Sequence, residues 1–90
     1  MQFQWDDGNI DKNWLKHRVT VDETESIWDD ENRKIAVSRI TRGELRFLCV
    51  GISNQSRLLS VIFTFRHGNL VRPISVRPAN KKEKDFYYGS

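Results

Sequence analysis

The chain has 90 residues, of which 38% are hydrophobic and 30% are charged, a composition typical of one folded domain with a single modest core. The net charge of +3 hides a strong asymmetry. Residues 1–31 carry nine acidic and three basic side chains (net −6), whereas residues 32–90 carry twelve basic and three acidic ones (net +9). The second part should attract phosphate or an acidic protein, and the first part should repel nucleic acid.

Several classes of protein are excluded by what the sequence lacks. No apolar run approaches the roughly 20 residues that span a bilayer, and the N-terminus has neither the basic start nor the apolar stretch of a signal peptide. We therefore expect a cytoplasmic protein without membrane contact. Cys49 is the only cysteine, so we expect a buried small apolar residue there and no disulfide. The two histidines show no metal-ligand spacing, and no cofactor is predicted.

The first predicted elements are a short extended segment at residues 3–5 and a helix. Asp6 or Asp7 can cap this helix, which runs to about His17 with Trp14 near its apolar stripe. The capping chemistry therefore sets the start of the helix within one residue.

A second helix is predicted to follow a short break. Thr20 followed by Glu23 is a capping-box pattern, and the helix includes Ile27 and Trp28. Acidic residues in its first turn suit the positive end of the helix dipole. We interpret the acidic cluster as helix-start chemistry, with acid–base catalysis as the alternative.

Four strands are predicted next, at residues 34–40, 45–53, 57–66 and 70–77. The short turns between them favour an antiparallel meander. The second and third strands are apolar at nearly every position, which is typical of the middle of a covered sheet. Pro73 removes a backbone donor and indicates an edge position or a bulge. A basic helix over residues 79–88 completes a single α+β domain spanning residues 1–90.

Five arginines lie on the predicted strands or at their ends: Arg46, Arg57, Arg66, Arg72 and Arg77. A guanidinium binds phosphate bidentately and stabilises the extra charge of a phosphorane-like transition state. Each arginine taken alone is more simply a solvated residue or the partner of a carboxylate. Strict alternation puts Arg72 and Arg77 on opposite faces unless a bulge intervenes, so their convergence stays open.

Two further positions carry possible chemistry. His17 can act as a general acid or base near neutral pH, although a helix-end cation or a packed ring is the simpler interpretation. Tyr87 follows a lysine-rich run that includes Lys81 and Lys82, and it either stacks on bases or packs under the sheet.

Short motifs occur in a fixed order along nearly the whole chain. They are Phe3-Gln4-Trp5-Asp6, Asn13, Lys16-His17 with Val19, Glu23, Trp28-Asp29, Gly43-Glu44-Leu45-Arg46-Phe47, Gly51, Thr64-Phe65-Arg66, Arg72-Pro73-Ile74-Ser75-Val76-Arg77-Pro78-Ala79, Glu83 and Tyr87. Each motif is weak alone, but the ordered set resembles the BrnT family of toxins. Three departures are Arg18 in place of a glycine, Pro78 in place of an arginine, and His67 as an insertion in a hairpin.

The resemblance implies a RelE-like fold with two N-terminal helices, a four-stranded antiparallel sheet and a C-terminal helix. It implies a ribonuclease that arrests translation as the toxin of a type II toxin–antitoxin pair. The implied partner is BrnA, a ribbon-helix-helix antitoxin. We expect a heterotetramer that binds operator DNA through the antitoxin.

Metal-free RNA cleavage needs a base for the 2′-hydroxyl, a cation for the scissile phosphate and an acid for the leaving 5′-oxygen. We assign the acid or base to His17, and we assign Glu23 to orient it or to serve as an alternative base. The candidate phosphate-binding residues are Arg46, Arg66, Arg72 and Arg77, and the candidate RNA-binding residues are Arg57, Lys81, Lys82 and Tyr87. The alternative is a non-catalytic module that binds antitoxin or RNA through the same basic sheet.

Overall fold

The computed structural model describes residues 1–89 and contains three α-helices, one 3-10 turn and one four-stranded sheet. The elements are α1 (Asp7–His17), α2 (Val21–Ser26), the 3-10 turn (Ile27–Asp29), β1 (Lys34–Thr41), β2 (Glu44–Ile52), β3 (Leu58–Arg66), β4 (Leu70–Pro78) and α3 (Lys81–Tyr88). Neighbouring strands are antiparallel in the order β1-β2-β3-β4. The predicted meander is confirmed, with β2 and β3 in the middle. Within residues 1–89, no helix combines the length and apolar character needed to cross a membrane.

Helix α1 is fixed at both ends by local hydrogen bonds. Asp6 is the N-cap, and its carboxylate accepts from the Gly8 amide at 2.8 Å. At the other end the amide of Arg18 donates to the carbonyl of Trp14, and Arg18 has the left-handed φ of 55°. The placement of Trp14 on the buried stripe was wrong. Trp14 is 45% exposed, because α1 turns the face of Asn13 toward β4 instead.

The left-handed conformation of Arg18 leads to a prediction about the stability of the fold. We expect Arg18→Gly to raise the free energy of unfolding by about 1 kcal/mol, because glycine adopts positive φ without a Cβ clash. Arg18→Ala is the matched control, since it keeps the Cβ and removes the guanidinium that lies 5.0 Å from the Trp14 ring centroid. Urea denaturation measures both variants. A glycine variant less stable than the parent would show that the Arg18–Trp14 contact outweighs the backbone strain.

Helix α2 begins with half of the predicted capping box. The Thr20 hydroxyl accepts from the Glu23 amide at 3.1 Å. The reciprocal bond does not form, because the Glu23 carboxylate turns inward to bind Ser53 and Arg57. The prediction of a complete box was therefore wrong for its second half.

The hydrophobic core lies between α2 with its 3-10 turn and one face of the sheet, which we call the packed face. Its central side chains, Cys49, Val61 and Phe63, are at most 1% exposed. The Phe63 ring contacts Trp28 and Phe47 at centroid distances of 5.3 and 5.4 Å. Burial raises the pKa of the Cys49 thiol to about 12. The prediction of a buried apolar cysteine is confirmed.

A bulge in β4 decides where two arginines point. The β3–β4 register skips Ile74, so that Arg72 pairs with Thr64 and Arg77 pairs with Ser60. Thr64 and Ser60 are four residues apart on one strand and share a face. Arg72 and Arg77 therefore lie on the same face of the sheet, which strict alternation along β4 would not produce.

A second bulge, in β1, also changes the face on which an arginine lies. The β1–β2 register skips Ser38 and pairs Arg39 with Arg46, whereas alternation alone would put Arg39 on the face of Val37. Pro73 satisfies both of its predicted conditions, since β4 is an edge strand and its bulge lies beside the proline.

Candidate functional site

The face of the sheet opposite the packed face carries a group of arginines, and we call it the arginine face. Its arginines are Arg39, Arg46, Arg66, Arg72 and Arg77. Arg39 pairs with Arg46 and Thr64 pairs with Arg72, while the β2–β3 register brings Arg46 beside Thr64. Arg39, Arg46 and Arg72 thus form one row across the four strands, about 15 Å wide at the usual strand spacing.

Glu44 is the carboxylate that lies against Arg46, the middle arginine of this row. Its two oxygens lie 3.5 Å from Arg46 Nε and 3.1 Å from an Arg66 terminal nitrogen. One partly exposed carboxylate is thus shared by two guanidinium groups. Arg46 Nε is buried and makes no hydrogen bond to any of residues 1–89. The arrangement keeps net positive charge around Glu44, which suits a phosphate.

Arg72 connects the row to the N-terminal segment. Its guanidinium donates to Gln4 Oε1 at 3.0 Å and lies 3.4 Å from Asp6 Oδ2, the helix-capping carboxylate. Asp6 is about half exposed, so this ion pair is screened by water and contributes little stability. An incoming phosphate can therefore compete with Asp6 for Arg72.

Arg77 is more firmly engaged. Two of its nitrogens donate to the Glu83 carboxylate at 2.6 and 2.7 Å. Glu83 also accepts from the Asn80 amide and completes the capping box of α3. Although burial opposes it, hydrogen bonding from Arg77 and Asn80 holds the pKa of Glu83 below its usual range. Arg77 thus docks α3 beside the arginine face.

Glu23 and Arg57 form a second bidentate pair at the end of α1. Arg57 Nε donates to Glu23 Oε2 at 2.8 Å, and a terminal nitrogen of Arg57 donates to Glu23 Oε1. Arg57 also donates to the backbone carbonyls of Arg18 at 2.9 Å and His17 at 3.4 Å. The hydrogen bond from Arg57 lowers the pKa of Glu23, despite the opposing effect of burial. The buried carboxylate is therefore ionised and occupied by Arg57 and Ser53.

His17 ends α1 next to this pair and is half-buried. Burial lowers the pKa of the imidazole below its ordinary value of 6.5, and the positive charges of Lys16 and Arg77 lower it further. The ring is therefore neutral at pH 7 and able to accept a proton.

The remaining predicted RNA-binding residues lie on α3. Lys81 is almost fully exposed and only 3.8 Å from Asp85, and Lys82 is also exposed. Tyr87 is 7% exposed, and its hydroxyl donates to Asp30 Oδ2 at 2.6 Å. Burial and the Asp30 carboxylate raise the pKa of Tyr87 to about 12. Tyr87 was predicted either to stack on bases or to pack under the sheet, and in the structure its ring is buried.

Two polar residues were missed as candidates. Asn13 is 4% exposed, and its Nδ2 has no hydrogen-bond partner among residues 1–89. It lies one turn before His17 on the face of α1 that packs on β4, and this i, i+4 spacing was a usable signal. Nothing in the sequence indicated Arg39, because alternation along β1 from Val37 predicts that its side chain lies on the packed face. Within the described chain, no three His, Cys, Asp or Glu side chains form a group that could hold a metal ion.

Fold and site together define a small α+β domain that presents a row of arginines on one face of an antiparallel sheet, with a neutral histidine at the end of α1. Its fold is similar to that of the Brucella abortus ribonuclease toxin BrnT, known from a 1.1 Å crystal structure. The TM-score is 0.69 with 22% identity, over 90% of this chain and 99% of that one. At this identity the likeness concerns the fold alone.

The family model described as "Ribonuclease toxin, BrnT, of type II toxin-antitoxin system" matches residues 5–83. The chain belongs to this family, as the ordered motifs predicted. Family membership implies ribonuclease activity at the level of the family and an antitoxin as partner. No curated protein matches the sequence.

Proposed function

We propose that this chain is a metal-independent endoribonuclease that cleaves RNA in the cytoplasm, arrests translation and is neutralised by its antitoxin. The observation that carries the proposal is the row of Arg39, Arg46 and Arg72 on one face of the sheet, which Arg39 joins because of the bulge in β1. RNA is the polyanion for which such a surface is suited.

The scissile phosphate is assigned to the end of the face near Arg46. The guanidinium groups of Arg46 and Arg66 share the single carboxylate of Glu44 there, so their positive charge is only partly neutralised. Guanidinium donors at this position would bind the non-bridging oxygens and stabilise the additional negative charge of the transition state. Arg66 and Arg72 hold the flanking phosphates.

His17 is assigned as the general base. In its neutral form the imidazole takes the proton of the 2′-hydroxyl, and the 2′-oxygen attacks the adjacent phosphorus. The bond from phosphorus to the 5′-oxygen breaks, and that oxygen leaves with a proton taken from water. The products are a 2′,3′-cyclic phosphate and a 5′-hydroxyl end, so that no metal and no covalent enzyme intermediate enter the scheme.

The paired arginines receive supporting roles in this scheme. Arg57 and Glu23 hold the last carbonyls of α1 and thereby orient His17, which agrees with the orienting role that the sequence suggested for Glu23. Arg77 keeps α3 in place and helps keep His17 neutral. Lys81 supplies long-range attraction from an exposed position.

The relationship of the fold, the type of antitoxin and the composition of the complex are also proposals. We propose a RelE-like relationship for the fold, from its N-terminal helices, antiparallel meander and C-terminal helix. We propose that the antitoxin is a BrnA-like ribbon-helix-helix protein and that the complex is a heterotetramer bound to operator DNA through the antitoxin. Size and operator binding of the purified complex test both statements.

The pH profile separates a base from an acid at His17. A general base requires the neutral ring, so the cleavage rate should rise with pH through a pKa below 6.5 and stay level above it. A general acid would give the opposite slope over the same range. Single-turnover rates between pH 4.5 and 8 measure this.

The charge at Lys16 provides a control for that profile. Because Lys16 lowers the pKa of His17, Lys16→Gln should move the rising limb of the profile to higher pH. A purely structural role of Lys16 would leave the limb in place. A limb that does not move contradicts the assignment of the titration to His17.

A further inference from the structure

The helices leave one part of the packed face uncovered, at the β1 edge of the sheet. The β1–β2 register puts Ile35 opposite Cys49, Val37 opposite Phe47 and Ile40 opposite Leu45, so these side chains belong to the packed face. We call the exposed apolar group at this edge the β1 strip; its members are Ile35, Val37, Ile40, Leu45 and Phe65. Val37 and Ile40 are 62% and 71% exposed, and the other three are between 41% and 48% exposed.

Such a group of side chains is unusual for a free surface. Contiguous exposed apolar residues on a soluble domain commonly mark a protein–protein contact. β1 is also the first strand of the sheet, and its outer edge is free of any other strand of residues 1–89. An unpaired edge beside an apolar surface is a template for an added strand.

Charge selects the kind of partner. The segment from residue 33 to residue 43 contains Arg33, Lys34, Arg39 and Arg42 and no acidic residue. Edge-to-edge pairing of two copies of β1 would bring these like charges together, which disfavours a second copy of this chain. RNA is disfavoured because the β1 strip is apolar and lies on the face opposite the arginine face. The surface fits an acidic protein segment with apolar side chains at alternate positions.

We propose that the β1 strip is the docking site of the antitoxin, which adds an extended acidic segment to the outer edge of β1. Its apolar side chains cover Val37 and Ile40, and its carboxylates pair with Lys34 and Arg39. Because Arg39 begins the row that includes Arg46, a carboxylate beside it competes with phosphate for that row. The proposal depends on the antitoxin that the family implies and not on the cleavage chemistry.

The test is a titration of this protein with the purified antitoxin encoded in the same operon. The double variant Val37→Asp with Ile40→Asp should weaken binding by about 100-fold, because two central apolar contacts are replaced by charges that repel an acidic partner. The milder variant Val37→Thr with Ile40→Thr keeps β-branched side chains and should weaken binding by roughly 10-fold. Leu15→Asp, a single apolar-to-Asp change at a residue of α1 that is 72% exposed, should leave binding unchanged.

Three readouts make the result decisive. RNA cleavage by both double variants without antitoxin should equal that of the parent, which shows that they are folded and separates this proposal from the proposed function. Amides of β1 should gain protection from hydrogen exchange in the complex. Unchanged affinity of both double variants, or unprotected β1 amides, overturns the proposal. A parent protein that sediments as a dimer, with a monomeric double variant, would assign the strip to a second copy and overturn it as well.

Discussion

His17→Ala is expected to lower the rate of RNA cleavage by about 10²–10⁴-fold while the domain stays folded. The imidazole is neutral at pH 7 because burial and two nearby cations depress its pKa, so its removal takes away the group proposed to accept the 2′-hydroxyl proton. The backbone carbonyl of His17, which binds Arg57, is retained in the variant. Single-turnover cleavage of a defined RNA measures the effect.

The other histidine supplies the matched control for this experiment. His67 lies in the β3–β4 turn with φ of 45°, a conformation that asparagine tolerates, so His67→Asn should cut RNA at the parent rate. Equal rates for His17→Ala and the parent, with both proteins folded, would remove His17 from the chemistry. An equal loss in the two variants would indicate a general effect of histidine replacement and would also count against the assignment.

Glu23→Gln is expected to lower the free energy of unfolding by about 3 kcal/mol, since it removes the negative partner of a largely buried ion pair. The Glu23 side chain is 5% exposed and binds Arg57 in two places as well as the Ser53 hydroxyl. The carboxamide introduced by Glu23→Gln can still accept a hydrogen bond, but it leaves the Arg57 guanidinium without a compensating charge. Urea denaturation near pH 7 measures the loss.

The loss of stability at acid pH tests the same ion pair. The folded pKa of Glu23 is lowered, so its contribution is complete above the ordinary value of 4.5 and is lost as pH falls toward the folded pKa. Glu23→Gln should therefore flatten part of the acid denaturation of the parent. Asp22→Asn, in the exposed first turn of the same helix, should change stability by only a few tenths of a kcal/mol. If Glu23→Gln were as stable as Asp22→Asn, the Glu23–Arg57 pair would contribute nothing measurable.

Much of the fold follows from local chemistry in the sequence. The short turns and the apolar runs of β2 and β3 are enough to predict a four-stranded antiparallel meander with these two strands in the middle. Asp6 and Thr20 mark helix starts because a side-chain oxygen next to a helical run has few better partners than the free amides. Pro73 indicates an edge position or a bulge because it lacks a backbone donor, and β4 has both.

The candidate site was less predictable, because it depends on register and on contacts distant in sequence. The two bulges, at Ser38 and Ile74, decide which face Arg39 and Arg77 occupy. The alternation of side chains along a single strand does not reveal that a residue is skipped in the pairing. The side chains of Glu23 and Arg57, 34 residues apart, meet only in the folded chain. Sequence reasoning could nominate four of the five arginines of the arginine face, all except Arg39, but it could not separate those held by buried carboxylates from those paired with partly exposed ones.

The central claim is that the arginine face cuts RNA without a metal. The most direct test is an incubation of the purified protein with a defined RNA in EDTA, beside Arg46→Gln and the charge-matched control Lys12→Gln on the exposed side of α1. We predict cuts with 2′,3′-cyclic phosphate ends by the parent and by Lys12→Gln, and cleavage by Arg46→Gln that is about 10²–10³-fold slower. Cleavage by Arg46→Gln at the parent rate, or RNA left intact by a folded parent, would contradict the claim. Intact RNA bound by the parent would instead favour the non-catalytic binding module.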